Sequence, residues 1–198
     1  MFDSIKNKII YNEKEIKLDR STYLQNMNNA LSEKDLLIIS GKAGCGKSAL
    51  VKEFHETEKS PFLMFKVDDF DVDSIQELYN RFNLTLGEFR DFYNDSDEKF
   101  IFIDSSERIS HLKNQRTFEE FLKLMVQDNW KIILTSRNDY SDILRNNLNI
   151  NYGLKVNEIK LPELTIDELE EIFRDNGLKI PANSNIKNPL QNLLYLSL

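Results

Sequence analysis

Lys47 and Ser48 close the run Gly41-Lys-Ala-Gly-Cys-Gly-Lys-Ser48, which meets G-x-x-x-x-G-K-[ST] at every required position. In such a run the backbone N–H groups turn inward and cradle phosphates at a helix N-terminus. The pattern predicts that Gly41, Lys42, Ala43, Gly44, Cys45 and Gly46 wrap the phosphates of a nucleoside triphosphate, with Lys47, Ser48 and Ala49 opening the helix beneath. The three glycines allow the tight backbone this needs. Lys47 would reach the β- and γ-phosphates, and the Ser48 hydroxyl would hold Mg²⁺.

A second candidate is Asp104, which ends the apolar run Phe100-Ile-Phe-Ile-Asp104. A carboxylate at the tip of a buried strand supplies the oxygen ligand that Mg²⁺ prefers. Hydrolysis also needs a group to orient the attacking water. Ser105 occupies the next position, and the following acid is Glu107. Glu107 either curls back as the catalytic base or is an ordinary acid at the start of the next segment. Arg137 follows the apolar run Lys131-Ile-Ile-Leu-Thr135 and is expected at the same sheet edge, where its forked donors would contact the γ-phosphate. Cys45 lies beside Lys47 at a helix N-terminus, which predicts a lowered thiol pKa. It reads either as a redox-sensitive brake or as a small residue that fits the loop. Asp69-Phe-Asp-Val-Asp73 alternates carboxylates but lacks the glycine and final glutamate of a calcium loop, so it reads as a solvated turn.

The elements that must position these residues are legible from periodicity. Leu36 to Ser40 reads as a buried strand, and a helix runs from the loop to about Glu58. Strands are expected at 61–67, 100–104, 131–135 and 157–161, and helices at 22–31, 74–82 and 117–127. Either Asp73 or Ser74 should cap the second of these helices. The acidic stretch 89–98 reads as loop. Strands alternating with helices imply a parallel sheet covered on both faces, an α/β P-loop NTPase fold. Strand material between Gly41–Ser48 and Asp104 indicates its additional-strand (ASCE) branch. After Pro162, Thr165 and Glu168 form a capping box, and Gly177 stands where that helix should end. The segment Pro189–Leu198 reads as one apolar terminal helix, cut off partway, as if the chain were a fragment of something longer.

The chain has 198 residues, a formal net charge of −7 and one cysteine. That length holds one large core with part of another. The charge argues against a broad, direct nucleic-acid surface. A lone cysteine forms no internal disulfide, which fits a reducing cytoplasm, and no apolar stretch is long enough for a membrane. The expected organisation is a lead-in over the nucleotide site at 1–28, a P-loop core at 29–162 and the start of a helical lid at 163–198.

Together these segments resemble STAND-type NTPases, the signal-transduction group that includes NACHT and NB-ARC modules. The resemblance rests on Gly41–Ser48, Ile101–Arg108, Trp130–Arg137, Ile159–Thr165 and Ile186–Leu190, and the Asp-Ser-Ser-Glu form is similar to prokaryotic antiviral members. It implies ATP and ADP as ligands, Arg137 as a sensor arginine, Pro189 packed near the adenine and Arg20 near the base. It also implies slow hydrolysis, self-association on activation, and effector and sensor domains outside this chain. Two further readings stand beside it. One is an AAA-type ATPase that remodels or loads nucleic acid; the other is a module that binds nucleotide without turnover.

Overall fold

A computed structural model describes residues 2–11, 14–16 and 18–196. Its centre is a five-stranded, wholly parallel sheet built from β3 (Leu36–Ser40), β4 (Phe62–Lys66), β5 (Phe100–Asp104), β6 (Lys131–Ser136) and β7 (Val156–Lys160). The order across the sheet is β4-β5-β6-β3-β7. The strand carrying Asp104 and the strand leading to Gly41 therefore do not pair; β6 lies between them. This is the additional-strand P-loop arrangement that the sequence predicts.

Alternation along the strands sorts their side chains to two faces. Leu37 and Ile39 pack with Phe100, Phe102 and Ile133 against Met27 and Leu31 of α1 (Ser21–Glu33) and Leu50, Val51 and Phe54 of α2 (Lys47–Thr57). Leu36, Ile38, Ile101, Ile103, Ile132 and Leu134 face the other way. They meet α3 (Ile75–Asn80), α4 (Leu86–Tyr93), α5 (Gln115–Gln127) and α6 (Asn138–Asn146). Both faces are covered, so every central strand is an unbroken apolar run.

A third cluster stands apart from the sheet. Ile9 of β1 (Ile9–Tyr11) and Ile16 of β2 (Lys14–Ile16) pack with Leu169 and Phe173 of α7 (Ile166–Asp175) and with Leu190. β1 and β2 pair antiparallel. The two ends of the chain thus share one small core beside the phosphate-loop edge.

The structure corrects two expectations about the elements. Residues 86–93 form α4, which runs into the stretch 89–98 read as loop. Its start is a capping box in which Thr85 Oγ1 accepts from Glu88 N while Glu88 accepts from Thr85 N. The acidic residues face solvent, while Phe89 and Tyr93 pack on Trp130 at ring-centroid distances of 5.6 and 5.1 Å. The C-terminal segment is not one helix. From Pro189 it runs as a 3-10 turn at Pro189–Gln191 and then α9 (Leu193–Leu196), because Asn192 between them is extended; a separate short helix, α8 (Ser184–Lys187), precedes it. Ser74 caps α3, Thr165 and Glu168 cap α7, and Gly177 follows α7 with φ +64°, as expected.

Candidate nucleotide site

β3 delivers the chain to the loop and is anchored on both sides. Ser40 Oγ donates to Glu158 Oε1 of β7 at 2.7 Å, and Gly41 N donates to Ser136 O of β6 at 3.2 Å. Gly44 and Gly46 have φ of +81° and +93°, a region closed to most side chains. Gly41 serves instead by leaving space: a Cβ there would lie 2.5 Å from Cys45 Sγ and 2.6 Å from Leu161 O. α2 then begins at Lys47. The N–H groups of its first residues, Lys47, Ser48 and Ala49, have no acceptor within the helix and form the electropositive end of its dipole.

Lys47 Nζ folds back on the loop and donates to Gly41 O and Lys42 O, each at 2.8 Å. Ser48 Oγ donates to Asp104 Oδ1 at 2.9 Å. The same carboxylate oxygen accepts from Thr135 Oγ1 at 2.6 Å, and Thr135 Oγ1 accepts from Ser105 N at 3.1 Å. The strand order explains this meeting. β6 ends between β3 and β5, so Thr135 bridges the loop side and the acid side. Ser105 turns the chain with φ +64° and starts the 3-10 turn Ser106–His111. Glu107 lies half-buried in that turn. Thr135 was visible in sequence as the last apolar-strand residue before Ser136-Arg137, but nothing local linked it to Asp104.

Arg137 follows β6 with its side chain 53% exposed, and its ion pair is with Asp139 at 3.6 Å. Arg20 is quite different. It is buried at the start of α1, NH1 lies 3.7 Å from Glu53 Oε2, and NH1 has no hydrogen-bond acceptor among the described residues. NH2 lies 2.6 Å from where a Cβ on Gly46 would sit, so the guanidinium covers the end of the loop. Burial pulls its pKa below the ordinary value, and the Glu53 carboxylate opposes that shift. Pro189 is exposed at the head of its 3-10 turn.

Two cavities adjoin the loop. One of about 410 Å³ is lined by Tyr23, Cys45, Leu161, Leu164 and Ile172, among others. The other, of about 260 Å³, is lined by Gly44, Gly46, Lys47, Ser48 and the lead-in residues Lys6–Ile9. Cys45 is buried, and the expectation for its thiol reverses. Burial pushes its pKa above the ordinary value and outweighs the opposing pull of the Lys47 ammonium. Asp69 and Asp71 are committed to backbone N–H groups of Lys66 and Lys113.

Sheet order, loop and acid define a P-loop ATPase of the AAA type. The chain belongs to the AAA domain family, whose model matches residues 33–170. Among solved structures it is similar to the Walker-type ATPase PABY2304 of Pyrococcus abyssi, with 18% identity and a TM-score of 0.65 over all of this chain and 69% of that one. It is also similar to AMPPCP-bound DnaA from Aquifex aeolicus, with 20% identity and a TM-score of 0.59 over 98% of this chain and 64% of that one. A replication initiator DnaA bound to AMPPCP and single-stranded DNA gives 20% identity and a TM-score of 0.54, covering 57% of its own length. At these identities the likeness is one of fold. No curated protein matches the sequence significantly. No helix among the described residues is long and apolar enough to cross a membrane.

Proposed function

We propose that the chain binds ATP and ADP with Mg²⁺ and acts as a slowly hydrolysing, ATP-gated switch of the STAND-like kind, the nucleotide module of a prokaryotic defence protein in the cytoplasm. The observation that carries this reading is the Ser48–Asp104–Thr135 cluster beneath the glycine loop. The donor set suits Mg²⁺: a hydroxyl and a carboxylate are hard oxygen ligands, and no group of three or more His, Cys, Asp or Glu among the described residues forms a metal cage. Such a site leaves most of the coordination sphere to phosphate and water. Ser48 and Asp104 would hold the ion, which when bound offsets charge on the β- and γ-phosphates.

The cradle also supports phosphate. Gly44 and Gly46 hold the positive φ that the loop's inward-turned N–H groups need, and the buried NH1 of Arg20, 3.7 Å from Glu53 Oε2, has no hydrogen-bond acceptor among the described residues. Lys47 would leave its two loop carbonyls for the phosphates. The cavity beside Tyr23 and Leu161 would take the base. Glu107 is the nearest acid downstream of Asp104 and remains our candidate for orienting water; Arg137 would need to swing from Asp139 to read the γ-phosphate, and Pro189 would need the helical end to close over the base. In this reading 1–28 and 163–198 flank a core at 29–162 and report its nucleotide state through self-association and attached domains.

A second reading follows from the family itself. An AAA-type ATPase that remodels or loads nucleic acid would use the same site. Calorimetric titration of ATP and ADP with Mg²⁺, run beside Lys47→Ala and with phosphate release followed in parallel, separates the readings. The switch predicts binding by the wild type, loss of at least about tenfold in affinity in the variant, and slow turnover. Turnover that rises steeply with single-stranded DNA would move the assignment to the second reading. Failure of the wild-type protein to bind either nucleotide would overturn both.

A further inference from the structure

The two cavities at the loop are separated by two residues, Arg20 and Leu193, each of which lines both. Leu193 belongs to a short segment tied directly to the phosphate loop. Asn192 Nδ2 donates to Ala43 O at 2.7 Å and to Glu163 Oε1 at 3.1 Å, and Leu194 N donates to Gly44 O at 3.2 Å. Asn192 Oδ1 lies so close to Gly44 that no Cβ would fit there, and Leu193 Cδ1 lies 2.9 Å from the place of a Cβ on Gly46. Glu163 holds the segment from below. Its carboxylate accepts from Asn192 with one oxygen and from Lys42 Nζ with the other at 2.5 Å.

A nucleoside triphosphate is one continuous molecule. Its base and its phosphates cannot occupy the two cavities together while Leu193, beside Arg20, divides them. We propose that Asn192–Leu194 is an autoinhibitory latch, in which Leu193 partitions the site and the Asn192 and Leu194 hydrogen bonds hold the partition on the loop. The inference rests on Gly41–Ser48 being the nucleotide loop. The latch reads the loop by its carbonyls. Leu193 stands between the two cavities that a nucleotide must span, so ligand binding and latching oppose each other. Lys47 adds to the same arrangement, because its ammonium is satisfied by loop carbonyls while the latch is shut. A closed fraction raises the apparent Kd in proportion.

The test compares wild type, Asn192→Ala/Leu193→Ala and Glu163→Gln, each with and without Lys47→Ala. Binding of a fluorescent ATP analogue with Mg²⁺ is measured by stopped flow and at equilibrium. Opening the latch is expected to raise the association rate and tighten Kd by about tenfold in the double variant and by a smaller factor in Glu163→Gln. Lys47→Ala removes binding in every background. A ligand-free readout accompanies it: alkylation of Cys45, the chain's single cysteine, should accelerate once Leu193 no longer closes the cavity it lines. Unchanged or weaker binding in the opened variant, with wild-type binding intact and Lys47-dependent, overturns the latch and leaves the nucleotide reading standing. Absence of binding by wild type and opened variant alike overturns the nucleotide reading, and the latch with it. A double variant whose circular dichroism shows a lost fold is replaced in the comparison by Glu163→Gln.

Discussion

Thr135 donates its only proton to Asp104 and accepts from Ser105 N, so one hydroxyl fixes both the acid and the turn behind it. Thr135→Val keeps the shape and removes both bonds. We expect it to destabilise the fold by about 1–3 kcal/mol, the cost of leaving polar groups unpaired, and to lower phosphate release more than nucleotide affinity. Thermal unfolding and the ratio of the two kinetic effects check this. Lys47, Ser48 and Asp104 were legible as candidates because the motif and strand end that single them out are matters of local spacing. Thr135 was not, because its partner is supplied by the pairing of strands that lie a helix apart in sequence. Cys45 reversed for a related reason. Charge proximity is visible in a sequence, whereas burial is not, and burial dominates here. Its thiol should react slowly with a disulfide reagent at neutral pH and quickly in denaturant. The raised folded pKa means that the contribution of this group to stability is complete below its ordinary value and fades as pH rises through the folded one. Denaturant midpoints measured across alkaline pH should therefore fall more steeply in the wild type than in Cys45→Ala.

β7 is an edge strand of the sheet, and Glu158 ties it across to the loop strand. The Glu158 carboxylate also accepts from Arg145 NH1 of α6 at 3.1 Å, and only 7% of its side chain is exposed. Glu158→Gln keeps the volume but weakens both bonds to one side chain. The expected cost is about 1–3 kcal/mol, with hydrogen exchange at Ser40 and Gly41 accelerated beyond that at Ile132–Leu134. Unchanged exchange at the loop would show that β3 needs no such anchor. At this scale the strands and the covering helices were readable, since apolar runs and 3.6-residue periods are local properties. α4 escaped because the stretch it enters, 89–98, is rich in acidic residues, although its capping box Thr85–Glu88 has the same form as the one at Thr165–Glu168 that marked α7. The C-terminal segment was misjudged in the opposite sense. Its apolar composition suggested continuity, and the extended backbone at Asn192 decided its shape.

Among the described residues there are three apolar clusters, and the third joins β1 and β2 to the helices after Pro162. No sequence pattern within either end could have revealed that union, because each supplies only half of the core. Phe173 is buried there. Phe173→Ala should cost about 3–5 kcal/mol as a large core truncation. Native-state hydrogen exchange should rise in β1 and α7 while β3 and β6 keep their protection; a uniform rise would mean that the cluster unfolds only with the sheet. The strand order carries one more consequence, for synthesis. Both neighbours of β3, at Lys131–Ser136 and Val156–Lys160, come far later in the chain. At roughly 5–20 residues per second, the apolar strand Leu36–Ser40 waits several seconds on the ribosome before β6 exists. During that interval an apolar strand of the nascent chain has neither of its neighbours to pair with, and it offers a handle for a chaperone.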